Sequence, residues 1–159
     1  MKKVMDKFGA VLMYAVAAML MVLVVLATVQ VITRYFIAVQ IIWIEEVSIY
    51  IVTWIAALGM PWMWLRQGHI RMDVLNFVLP KKIIRSMDYM INAVTMVAAV
   101  GVIRVGLRTI HVNTGYVMSV IKMDEGMRYW PVLTGGVLLL ISAFMVLVQM
   151  IEEDRGKAK

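Results

Sequence analysis

Twenty-five consecutive residues, Phe8 to Ile32, carry no charged side chain. A helix advances about 1.5 Å per residue, so about 20 apolar residues suffice to cross the roughly 30 Å hydrocarbon core of a bilayer. A run of this length makes the chain a membrane protein. The composition agrees, since 63% of residues are hydrophobic and 16% charged, against roughly 45 to 50% apolar in soluble domains. Lys2, Lys3 and Lys7 ahead of the run, with Ala15-Val16-Ala17 inside it, also fit a cleaved signal peptide. Cutting there would leave Ala18 to Ile32 as an apolar stump, which favours an intact first crossing.

Val47 to Leu65 is a second uncharged run, and tryptophans mark its ends. Trp is enriched where bilayer meets water, and Trp43 to Trp62 or Trp64 spans roughly 28 to 32 Å of helix. Pro61 lacks an amide proton and its ring crowds the carbonyl of Ala57, so a kink or an end is expected near Gly59-Met60-Pro61. Tyr89 to Ile103 opens a third crossing that extends toward Arg108, and Tyr129 to Ile151 is a fourth uncharged run. The sequence thus predicts an all-α membrane protein, one domain over 1–159, with four transmembrane helices at about 8–33, 43–65, 86–108 and 129–151.

The net charge of +6 reads as topology rather than as a nucleic-acid surface, because the basic residues sit between apolar runs. Lys2, Lys3, Lys7, Arg66, Arg71, Lys81, Lys82, Arg85, Arg155, Lys157 and Lys159 fall on one face, against Arg34, Lys122 and Arg128 on the other. Cytoplasmic loops carry the excess of Lys and Arg, so both termini are expected in the cytoplasm. Between the second and third crossings, Asp73 to Leu79 reads as a short interfacial helix with Pro80 starting the next one; a plain loop is the alternative.

Glu45 and Glu46 head the second crossing, where the positive end of the helix dipole favours carboxylates and where neither has to enter the membrane centre. Arg104, Arg108 and His111 recur at i, i+4 and i+7 and share one face of the third helix, at the same outer end. A Glu46 pair with Arg104 or Arg108 is therefore expected, since opposite charges stabilise each other where water is scarce. His69 and His111 lie about a membrane thickness apart, too far for one haem. Cysteine is absent, and the sixteen methionines are scattered through apolar helices, which suits packing better than Cu(I) binding. No carboxylate lies deep enough for a small proton-coupled exporter. No nucleophile with its base, phosphate-binding glycine loop or metal cage is visible, so neither an enzyme nor a cofactor is expected.

The stretch "TRYFIAVQIIWIEEVSIYIVTWIAALGMPWMWLRQGHIRMDVL" resembles the small membrane subunit of tripartite ATP-independent periplasmic (TRAP) transporters. Arg34-Tyr35, Trp43 with Glu45-Glu46, Gly59, Arg66, Gly68-His69-Ile70 and Asp73-Val74 carry the resemblance. Pro80, and Tyr129 with Pro131, extend it over nearly the whole chain. The outer segment Ile121 to Met127, "IKMDEGM", departs from the proline-containing turn common in the family. The resemblance implies a non-catalytic scaffold in a bacterial inner membrane. Its expected partners are a large permease subunit and a periplasmic solute-binding protein, working in ion-driven, sodium-coupled uptake of an organic acid. Arg34, Trp43, Glu45, Glu46, Arg66, His69, Arg104 and Arg108 are the expected structural or subunit-contact residues. Thr53, Ala56, Ala57 and Gly59, with Gly135, Gly136, Ser142 and Ala143, are small enough for close helix approach, either within this chain or toward another. The alternative classes are a membrane anchor of a respiratory enzyme and a stand-alone exporter.

Overall fold

A computed structural model describes residues 2–39, 41–75, 81–117 and 124–157, with side-chain detail for 3–39, 41–66, 83–117 and 124–155. Four long helices form: α1 (Lys2–Ile32), α2 (Ile42–Leu75), α3 (Lys81–Asn113) and α4 (Trp130–Lys157). Each contains a stretch long and apolar enough to cross a membrane. α2 and α3 overrun the expected crossings at both ends, α1 at its start and α4 at its finish, because charged residues beyond the hydrocarbon core keep helical propensity.

α1 ends in a π-helical turn, Thr33–Ile37, closed by Ala38 in the left-handed region at φ 54°. α2 runs on through Pro61, so of the kink or end expected near Gly59-Met60-Pro61 the end does not occur. α2 also continues through Asp73, Val74 and Leu75 in place of the start of a separate interfacial helix; residues 76–80, including Pro80, lie outside the described residues. On the far side, a 3-10 helix (Glu125–Tyr129) leads into α4. Asp124 caps it: one carboxylate oxygen accepts from the Gly126 N–H at 2.8 Å and the other from the Gly115 N–H at 3.2 Å. That carboxylate ties the end of α3 to the start of α4; of the segment Ile121 to Met127, residues 121–123 lie outside the described ones.

α4 is the central helix. It packs on α2 along one side and on α3 along another, while α1 packs chiefly on α2 at the edge. Two adjacent stripes of α4, each stepping by seven residues, explain this. Gly135 and Ser142 belong to one, Gly136 and Ala143 to the other. A Cβ on Gly135 would sit 2.9 Å from Ala57 of α2, and one on Gly136 would sit 3.0 Å from the Ile103 side chain of α3. Ser142 and Ala143 are fully buried. A seven-residue repeat keeps each seam in register between helices that coil gently about one another. Gly135 also lies beside the carbonyl of Ala57, the one that Pro61 deprives of its helical donor.

These contacts divide the small residues. Ala57, Gly135, Gly136, Ser142 and Ala143 serve packing within the chain. Ala56 is exposed, and a Cβ on Gly59 would meet nothing within 4 Å.

Candidate functional site

Two polar clusters hold the seams. Arg85, near the start of α3, pairs with Asp154 at 2.8 Å and Glu153 at 3.3 Å on the last turns of α4, and its guanidinium also donates to the Met150 carbonyl. Tyr89, one turn on, donates its hydroxyl to Asp154 at 2.8 Å. Deeper in, the Asn92 side chain is 1% exposed. It donates to the Ala143 carbonyl at 3.1 Å and accepts from the Trp64 indole N–H at 3.3 Å. Asn92 thereby bridges α2, α3 and α4 where water is excluded. Interhelical hydrogen bonds of this kind in membranes contribute about 0.6 kcal/mol on average and up to about 1.7. Asn92→Leu is expected to lower stability by about 1 kcal/mol, chiefly by stranding the Trp64 N–H. Adding Trp64→Phe should recover most of that loss in a detergent melting series, and strictly additive losses would contradict the bridge.

Neither cluster figured among the expected site residues. Asn92 was visible as the lone amide within the apolar part of α3. Arg85 was read only as a marker of topology, although the antiparallel course of α3 and α4 brings Glu153 and Asp154 to its end of the bundle.

The expected residues scatter over the surface. Arg34 is exposed in the π-helical turn beside Tyr35 and Phe36, which are 77% and 84% exposed. Trp43 is half exposed at the head of α2. Glu45 is exposed, whereas Glu46 is half-buried with Oε2 shielded from solvent and without a hydrogen-bond partner among the described residues. Arg66 lies over the Trp62 ring at 5.3 Å. His69 continues α2 past Arg66, and its side chain lies outside the description. Arg104, Arg108 and His111 are exposed on α3, at the opposite end of the bundle from His69.

The Glu46 pair with Arg104 or Arg108 does not form; the ion pairs among the described residues are those of Arg85. Two facts of packing explain this. α4 stands between α2 and α3, and Ala99 marks the face that α3 turns toward it. Arg108 is nine residues from Ala99, two and a half turns at 3.6 residues per turn, and so faces the other way.

The hydrophobic exterior extends over whole helices: only 6% of the most apolar stretch of α1 is buried. A chain with four such helices, no deep carboxylate, and seams tied by helix-to-helix polar contacts is a multi-pass membrane protein built to pack. The model of the family "Tripartite ATP-independent periplasmic transporters, DctQ component" matches residues 21–153. The chain belongs to that family and is a small permease component of a TRAP transporter. Comparison with curated proteins gave no match.

Proposed function

We propose that this subunit pairs with the large permease subunit as a fixed, non-catalytic scaffold in the bacterial inner membrane, with both termini in the cytoplasm. It helps to dock a periplasmic solute-binding protein during sodium-driven uptake of an organic acid. The family match carries the reading.

Two features of the surface support it. Glu45, Ile49, Val52, Ala56, Met60 and Met63 form an exposed stripe along α2, with steps of three or four residues and the open Gly59 beside it. The small Ala56 and Gly59 and the flexible Met60 and Met63 allow another helix to approach closely in lipid, where packing rather than hydrophobic transfer drives association. The opposite end of the bundle from the termini presents Tyr35, Phe36 and Trp43, apolar groups suited to an interface with a partner's surface.

Proteoliposomes loaded with the large permease, with and without this chain, test the role. Uptake of radiolabelled mono- and dicarboxylates, with the binding protein outside and an inward sodium gradient, is expected only when both subunits are present. Equal uptake without this chain would contradict the scaffold role, and undiminished uptake with potassium replacing sodium would contradict the coupling.

A further inference from the structure

At the end of the bundle that carries the termini, a cleft of about 300 Å³ opens between α1, α2 and α4. Its polar lining includes Asp6, Arg66 and Gln149, and its apolar lining includes Met13, Trp62 and Leu65. Asp6 and Arg66 carry opposite charges into one cleft yet form no ion pair with each other. Arg66 is instead held over the Trp62 ring. Gln149 is engaged along its own helix, its amide donating to Glu153 at 3.1 Å.

The level of the cleft in the membrane decides what can reach it. Asp6 and Lys7 are the last charges before the uncharged run of α1, and Arg66 is the first after that of α2. Both charges therefore stand at the boundary of the hydrocarbon core, while Met13 and Tyr14 extend the lining about two turns into it. α1 runs beside α2 at Gly9, where a Cβ would meet Trp62 and Leu65 in ordinary contact at 3.8 and 3.9 Å.

From this we infer a binding site for a zwitterionic phospholipid with a primary ammonium group, of the phosphatidylethanolamine class. The Arg66 guanidinium takes the phosphate, for which its planar donors are suited. The Asp6 carboxylate accepts from the ammonium. The apolar lining below them receives the glycerol and the upper acyl chain. The charge arrangement sets the order of preference. Phosphatidylglycerol offers the phosphate but no cation for Asp6, and the quaternary ammonium of phosphatidylcholine has no N–H to donate. An apolar floor at the bilayer boundary favours the lipid over a free headgroup, because a soluble zwitterion has nothing to place there.

The test is native mass spectrometry of the full chain, purified in mild detergent with its membrane partner. The protein is incubated with phosphatidylethanolamine, phosphatidylglycerol or phosphatidylcholine of matched acyl chains. Retention of phosphatidylethanolamine is expected to exceed that of phosphatidylglycerol about tenfold, the value of one charge-assisted hydrogen bond. Arg66→Gln should lower retention of both about tenfold. Asp6→Asn, nearly isosteric, should abolish the preference while leaving phosphatidylglycerol bound, a change that unfolding cannot mimic. Equal retention of the three lipids, or an unchanged preference in Asp6→Asn, would overturn the site. Displacement by equimolar O-phosphoethanolamine would overturn its assignment to a lipid.

Discussion

Replacing Gly135 with leucine is expected to force α2 and α4 apart and cost more than about 3 kcal/mol, beyond the usual range for overpacking. The reason is what stands opposite. A Cβ at Gly135 would lie 2.9 Å from both Cα and Cβ of Ala57 and 3.0 Å from its carbonyl oxygen. Backbone cannot rotate aside as a long side chain does, and α4 is the helix that holds α2 to α3. Gly135→Ala already makes this clash and should cost about 1 to 3 kcal/mol. Gly101→Ala is the control, since nothing lies within 4 Å of a Cβ there; exchanging a helical glycine for alanine is favourable by up to about 1 kcal/mol. Detergent melting of the three variants checks the order. A Gly135→Leu protein that melts with the parent would show that this seam does not hold the bundle.

Arg85→Asp should have the second largest effect. The substitution removes the ion pairs to Asp154 and Glu153 and the hydrogen bond to the Met150 carbonyl, and adds a third carboxylate beside two others. Glu153 and Asp154 side chains are 37% and 44% exposed, so solvent screens much of the repulsion. A loss of about 2 kcal/mol is expected, between the values for exposed and buried pairs. The reciprocal change Asp154→Arg in the same protein should restore about half of it, because the new carboxylate at position 85 would again face a cation across the seam while the Tyr89 hydroxyl loses its acceptor. No recovery in the double variant, measured by the melting of the α3–α4 pair, would contradict the pairing.

The crossings were legible because hydropathy is local. Phe8 to Ile32 announces a membrane helix whatever else the chain contains, and Tyr129 to Ile151 does the same. The faces were not legible, because a face acquires meaning only from its neighbour. Gly135 and Gly136 are adjacent in sequence and equally small, yet one meets α2 and the other α3. The Glu46 expectation failed for the same reason. Sharing the outer end of the bundle says nothing about whether a third helix intervenes or whether Arg104 turns outward. Arg66 was read from its place in the family pattern; its position over Trp62 is local, one turn back on the same helix, but its place across a cleft from Asp6 arises only when α1 folds back along α2.

In the proposed function this chain works as the small partner of a larger permease. A pull-down of the tagged chain from its native membrane in mild detergent, with mass identification of what accompanies it and an absorption spectrum of the complex, tests it most directly. A large multi-spanning permease in a colourless complex is the predicted result. A haem spectrum, or a soluble redox enzyme in place of the permease, would contradict the account and place the chain among respiratory anchors.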